Sequence, residues 1–289
     1  WFVERRTRQW HRLDAQVAPA PVFWFEHDEH TSTLNVSRIR QCKLGTFAVS
    51  GSASDKQTRL YRVTEDGEDL VCSHNLGLWM QIQAVALHPD GLRWAVGGDT
   101  GIEDVGKMAL FTVDGLDRRC PPIIHVVYAL DFDSQGRLAV LCQETIEVFE
   151  EHEHGWERVL QISLPSDSHY LSTIRFDPTG EFLTVTLHGN VVCYNVERGT
   201  ECWTRMLTGQ RASGLCYSPC GGMLAVADSE GLYVLEAESG ATVAVNPTRK
   251  ALHAVDWSRE FIIGGSDEGA FLFAAPPAAE LTKSAIKVA

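Results

Sequence analysis

A three-stranded ribbon recurs along this chain, and it cannot bury its apolar faces alone. The last copy is the easiest to read. Val255 and Trp257 alternate with polar neighbours, Phe261 to Gly265 is a short apolar run, Ser266-Asp267-Glu268-Gly269 is a turn, and Phe271 to Phe273 is apolar again. Short strands bounded by Gly and acidic residues fit antiparallel hairpins. The turn between the first two strands recurs as Cys42-Lys43-Leu44-Gly45, His88-Pro89-Asp90-Gly91, Asp133-Ser134-Gln135-Gly136, Asp177-Pro178-Thr179-Gly180, Ser218-Pro219-Cys220-Gly221 and Ser258-Arg259-Glu260. Counted from Gly45 to Gly91, Gly136, Gly180, Gly221 and Glu260, the intervals are 46, 45, 44, 41 and 39 residues. Pro presets φ in such turns and Gly accepts positive φ.

The flanks repeat in register. Ile39, Val85, Leu130, Ile174, Leu215 and Val255 form one aliphatic column before the turns. Two residues on come Gln41, Leu87, Phe132, Phe176, Tyr217 and Trp257, a period of two and hence strand. The third strands end on Tyr61, Phe111, Phe149, Tyr194, Leu235 and Phe273. Units of 39 to 46 residues that must stack to bury a core give a closed or solenoidal repeat.

On these residues the chain resembles the WD-repeat β-propeller family, whose repeat is about 40–45 residues with four strands per blade. Ser266 to Phe273 and Ser229 to Val234 are similar to the family's second-to-third-strand turn. The resemblance covers nearly the whole chain, with degenerate motifs. No Trp-Asp dipeptide ends a third strand, the nearest pairs being Tyr194-Asn195 and Leu235-Glu236, and no Gly-His precedes a blade. The resemblance implies an all-β fold, a single propeller of six to seven four-stranded blades with seven narrowly preferred. It also implies a closing blade built from strands near both chain ends. Residues 1–25 then supply a partial closing blade, and complete blades span approximately 34–76, 82–127, 128–164, 171–207, 212–246 and 252–289. The chain starts at Trp1 rather than Met, which reads as a piece excised from a longer protein.

One column carries charge: Arg40, Ala86, Asp131, Arg175, Cys216 and Asp256. Asp131 can meet Arg175 across one seam, and Arg40 can meet Asp256 if the first and last blades touch. The segment Gly97 to Lys107 reads as a long, Gly-rich, acidic loop between second and third strands. Glu26-His27-Asp28-Glu29-His30 and Glu150-Glu151-His152-Glu153-His154 hold residue types that bind divalent metals, but on single loops, where solvated charge is the default reading.

The chain carries 38 acidic and 25 basic residues, a net charge of −13, which disfavours generic binding to a phosphate backbone and suits basic partners. Its eight cysteines lack regular pairing distances and read as buried small hydrophobes in a reducing compartment. No apolar run of about 18 residues suggests a membrane span. The expected location is intracellular, with the cytoplasm favoured. Catalytic motifs are missing: no Gly-x-Ser-x-Gly elbow, phosphate-binding loop or His-Glu-x-x-His.

These readings lead to a non-enzymatic interaction scaffold without cofactors or bound metal. It would bind a peptide or partner protein on the top rim, where first strands begin, inside a larger assembly. The rim candidates are Trp79, Met80, Gln83, Tyr128, His169, Tyr170, Arg211 and His253, because aromatic and Arg side chains anchor protein interfaces. Two alternatives stay open: an enzyme or ligand-binding propeller with a metal or small molecule in the channel, and a structural domain packed on another part of the same protein.

Overall fold

The computed structural model describes residues 2–3, 10–11, 23–27, 34–42, 44–52, 56–64, 67–76, 81–101, 107–117, 119–165, 173–187, 189–209, 212–248, 251–258, 261–266 and 269–276. A two-stranded ribbon, β1 (Phe2–Val3) and β2 (Trp10–His11), comes first. The first blade is five-stranded: β3 (Phe23–His27), β4 (Leu34–Cys42), β5 (Gly45–Ser52), β6 (Gln57–Thr64) and β7 (Gly67–Asn75). The second holds β8 (Gln81–Leu87), β9 (Arg93–Asp99), β10 (Met108–Thr112) and the short β11 (Gly115–Asp117). The third holds β12 (Val127–Phe132), β13 (Leu138–Cys142), β14 (Thr145–His152) and β15 (Gly155–Ser163). The fourth holds β16 (Ile174–Phe176), β17 (Phe182–Leu187), β18 (Asn190–Asn195) and β19 (Thr200–Met206). The fifth holds β20 (Gly214–Tyr217), β21 (Met223–Asp228), β22 (Gly231–Glu236) and β23 (Thr242–Pro247). The sixth has three described strands, β24 (Ala254–Trp257), β25 (Phe261–Ser266) and β26 (Gly269–Ala274).

Every pairing is antiparallel between neighbours in sequence, as hairpins joined by the repeated turns require. Around the axis β4 touches β8, β8 touches β12, and the series continues through β16 and β20 to β24. The last step runs from β24 to β3. The ring is therefore six-bladed, the smaller of the two counts left open by the sequence. Closure brings a strand near the N-terminus against the last blade, and among the described residues the expected closing blade shared by both chain ends does not form. That strand, β3, joins the first sheet by pairing Phe23 with Arg38 through to His27 with Leu34, so among the described residues no seventh blade forms around it. The proposed strand Ile286-Lys287-Val288 lies outside the described residues.

The repeated turns work as their chemistry demands. Asp90 Oδ1 accepts from the amides of Leu92 and Arg93, Asp133 Oδ1 from those of Gln135 and Arg137, and Asp177 from Thr179 and Phe182. Ser218 and Ser258 do the same with hydroxyls toward Met223 and Phe261. Gly136 has φ +93° and Gly180 φ +79°, and each also abuts the preceding blade. A Cβ on Gly136 would stand 2.4 Å from His88 Nε2, and one on Gly180 2.6 Å from Arg137 Nη2. Each turn thus needs Gly twice, for the left-handed backbone and for the seam.

The core lies between blades, as sheets of alternating side chains stacked face to face dictate. Ala139, Leu141, Ile146 and Val148 of the third blade pack on Ile174, Leu183, Val185 and Val192 of the fourth. The first and second share Val49, Leu60, Ile82, Val96, Trp94 and Phe111. Trp94 is fully buried, and its indole N–H donates to Thr58 Oγ1 at 2.9 Å, so even the polar atom of this large side chain is satisfied.

The Gly-rich stretch differs from its reading as a loop. Gly97, Gly98 and Asp99 lie within β9. A Cβ on Gly98 would come 2.0 Å from the Gln81 carbonyl oxygen, and one on Gly97 2.5 Å from Val127, so both glycines admit close backbone approach near the axis. Residues 102–106 lie outside the described set.

Candidate functional site

The inner strands carry one position per blade at the rim where they begin. Two residues before the aliphatic column stand Ser37, Gln83, Tyr128, Ser213 and His253 among the described residues, the fourth blade's counterpart Ser172 lying outside them. Of the eight rim candidates, Trp79, Met80, His169, Tyr170 and Arg211 lie outside the described residues, leaving Gln83, Tyr128 and His253. The structure gives Gln83 and Tyr128 a property not read from the sequence. In β8 the register slips between Ile82 and Ala84, and in β12 between Val127 and Ala129. Gln83 and Tyr128 are therefore the extra residues of two inner-strand bulges at the same station of neighbouring blades. A bulge leaves its extra residue outside the ladder and re-aims its side chain. The bulge in β8 is possible because it faces Gly97 and Gly98; the paired glycines were the signal for it.

Tyr128 is half-buried and rests on the core between the third and fourth blades. His253, half-buried, begins the sixth blade, and its amide donates to Gly265 O at 2.7 Å. Between them on the rim, Ser213 Oγ donates to Leu252 O at 2.7 Å, tying the fifth blade to the sixth.

Below the rim the charged column runs from blade to blade on the inner strands. Arg38, on β4, is 7% exposed and pairs with Asp131 on β12, two blades away. Its Nη1 donates to Leu130 O at 3.0 Å. Arg40 passes the same way, donating to Leu87 O on β8 and Phe132 O on β12, each at 2.9 Å. The second blade has short, buried Ala84 and Ala86 at the positions equivalent to Arg38 and Arg40, which leave a guanidinium room to pass. Asp131 Oδ2 in turn accepts from the Phe176 amide on β16 at 2.9 Å. One carboxylate so joins the first, third and fourth blades. Asp131 attracts Arg175, in line with the expected seam partner, and bonds Arg38 besides. Arg40 spends its donors on carbonyls rather than on Asp256, because they lie along its path past Ala86.

Arg175 and Asp256 complete the cluster. Burial pushes the Arg175 guanidinium down to about 9, with Arg38 adding like-charge repulsion and Asp131 opposing. Burial pushes the Asp256 carboxyl up to about 7 against the pull of the Trp257 amide and of Arg175 and Arg38. Asp256 Oδ1 accepts from that amide at 2.9 Å, while Oδ2 is buried without a hydrogen-bond partner. Three guanidinium and two carboxyl groups thus occupy the interior of the ring. That arrangement ties the blades together through charge.

The two acidic-His clusters resolve differently. Glu26 and His27 fall in β3, and Asp28 to His30 lie outside the described residues. In the other, Glu151 pairs with Arg93 and with Arg119, the latter at 3.1 Å, and His152 faces Glu157 at 3.5 Å. Its carboxylate binds the neighbouring blade's cations. Among the described residues no three His, Cys, Asp or Glu side chains converge as a metal site would require. No helix is long and apolar enough to cross a membrane.

No known family pattern matches the sequence, and no curated protein matches it. Solved structures do match by shape. One is the crystal structure of the C-terminal WD40 domain of Sif2, with a TM-score of 0.61 and 12% identity, covering 79% of this chain. The matched region is 66% of that domain's chain, just under two thirds of its length. At this identity the likeness is one of fold: the chain has the WD-repeat β-propeller fold.

Proposed function

We propose, from a propeller whose inner strands are tied by its own charged side chains, that this chain is a non-enzymatic protein-interaction module. It binds a peptide or partner protein on the rim where the inner strands begin, as part of a larger assembly. The observation that carries this reading is the pair of matched bulges. Gln83 and Tyr128 are set out of the ladder at one station of adjacent blades, on a frame rigidified beneath by the Arg38–Asp131 bond. Side chains held this way lose little freedom on binding, which favours affinity. Ligand contact at a rim also agrees with inner strands whose Arg38 and Arg40 are committed to other blades, which leaves the surface as the meeting place. The net charge of −13 favours a partner with basic residues over a nucleic-acid backbone.

Selection of a random peptide library on the immobilised chain tests this. Enriched peptides should bind the wild type and an outer-strand control, Met206→Ala, equally. They should lose about tenfold or more with Gln83→Ala combined with Tyr128→Ala, the loss expected of a central anchor. Peptides indifferent to the rim pair but sensitive to the outer strand would overturn the assignment.

A further inference from the structure

Four blades repeat one irregularity between their third and fourth strands. The register slips between Leu60 and Tyr61, Val148 and Phe149, Cys193 and Tyr194, and Val234 and Leu235. The extra residues on the fourth strands are Val71, Val159, Cys202 and Val243. All four are exposed. The third-strand residues facing the bulges, Leu60, Val148, Cys193 and Val234, are at most 1% exposed. Three blades therefore set an exposed valine against a buried aliphatic residue. The fourth has cysteine at both places.

A bulge puts two residues opposite one, so Cys202 and Trp203 share Cys193 as their neighbour. Trp203 is the one in register with Cys193, where paired Cα atoms stand about 4.5–5.5 Å apart, and Cys202 is the extra residue beside it, facing the same position at a spacing comparable to the roughly 4.4–6.8 Å window of disulfides. The two thiols act electrostatically on one another, as close neighbours do, and both are free. Thr184 and Tyr217, whose hydroxyls are 2.5 Å apart, border Cys193 on its buried side.

We infer that Cys193 and Cys202 are an oxidation site, closing to a cross-strand disulfide when a hydroperoxide reaches the exposed Cys202. The Cys202 thiolate attacks one peroxide oxygen, the O–O bond breaks, and the departing hydroxide takes up a proton as water. Cys193 sulfur then attacks the resulting sulfenic sulfur, the S–O bond breaks, and hydroxide leaves with the Cys193 proton as a second water. Two thiols lose two electrons and hydrogen peroxide becomes two waters. Burial pushes the Cys193 thiol up to about 11, which suits it to resolve rather than to attack first. The bond would pin β19 to β18 beside Trp203. That indole donates to Ala237 O at 2.9 Å, and its ring fills the space over Gly240, so oxidation acts on the seam between the fourth and fifth blades. This inference is independent of the rim's function.

Trypsin makes the test direct. Cleavage after Arg175, Arg198 and Arg205 puts Cys193 on peptide 176–198 and Cys202 on peptide 199–205. The whole chain, treated with hydrogen peroxide, alkylated and digested without reductant, should yield these two peptides joined, separable by dithiothreitol. Two fewer thiols should alkylate, and the melting temperature should rise by a shift that dithiothreitol reverses. Cys202→Val, the residue of the other three blades, should stay folded and lose both the linked peptide and the shift. Recovery of 199–205 alkylated or over-oxidised, or its joining to Cys220 or to a second chain, would overturn the inference. Cys220 is the fair competitor, being exposed with its thiol lowered by the Ser218 hydroxyl and the Gly222 amide.

Discussion

The arc from the first to the fourth blade and the arc from the fourth to the sixth solve one packing problem by different means. In the first arc, charge crosses the seams. Arg38 and Arg40 reach over the second blade to the third, Arg93 and Arg119 meet Glu151, and Arg137 donates to Gly180 O of the fourth. In the second arc most described contacts are neutral, the exceptions being Thr208 donating to the Glu230 carboxylate and the attraction between Arg175 and Asp256. Thr184 meets Tyr217, Trp203 donates to Ala237 O, Ser213 donates to Leu252 O, and Gly214 lets β20 and β24 approach until a Cβ would stand 2.9 Å from Ala254 Cα. The turns follow the same division, with Asp90, Asp133 and Asp177 on one side and Ser218 and Ser258 on the other. Blade shape sets the fold, and either chemistry can close a seam that apolar stacking has already formed. The charged arc should answer to pH and salt, the neutral one to volume.

The largest effect should come from Asp131→Ala. It leaves Arg38 buried without its carboxylate and removes the acceptor of the Phe176 amide, a loss of about 3–5 kcal/mol for a broken buried pair, read from urea unfolding. Trp203→Ala breaks the neutral arc instead. It should cost about 2–3 kcal/mol, below the full burial value because the ring is half-buried, and the loss should be the same in low and high salt.

Asp256 sharpens the comparison through pH. Its folded carboxyl lies at about 7, above its value in the unfolded chain. The folded state therefore binds the extra proton between roughly pH 4 and 7. Stability from this group falls as pH rises through that window, with a slope on the order of 1 kcal/mol per pH unit, and the penalty is complete above it. Asp90 runs the opposite way. Burial, the largest single influence, raises its carboxyl, but His88, the Leu92 amide and Arg93 together outweigh it and hold the carboxyl below the usual range, so its contribution stands at neutral pH and is lost on acidification. Asp256→Asn should gain on the wild type steadily from pH 5 to pH 7 in urea midpoints; parallel curves would remove Asp256 from the account. The smallest effect belongs to Glu151→Gln. Its partners are partly exposed, so the loss should be about 0.5 kcal/mol and vanish at high salt.

The sequence showed the ring because its turns and columns are local. Pro89-Asp90-Gly91 and its relatives announce their hairpins, and the column from Ile39 to Val255 is inward-facing period two. The bulges were harder to see, the facing pair Gly97-Gly98 being the one trace of them. Nothing local distinguishes Gln83 or Tyr128 from ordinary strand residues, since each bulge depends on what faces it across the sheet. The charged column was visible, yet its bond to Arg38 was not. Which acid Arg38 meets depends on Ala84 and Ala86 of another blade leaving a path, a fact of three dimensions. Closure followed the same rule, since β3 could join either neighbouring sheet and its alternation alone does not choose.

The central claim is that a charged bond across the axis ties non-adjacent blades and holds the rim above it. A double-mutant cycle on Arg38→Met and Asp131→Asn measures that bond with little disturbance elsewhere. A coupling energy of about 1 kcal/mol or more is predicted, as for contacting buried charges; strictly additive losses, within about 0.3 kcal/mol, would mean the two side chains do not meet and would contradict the account.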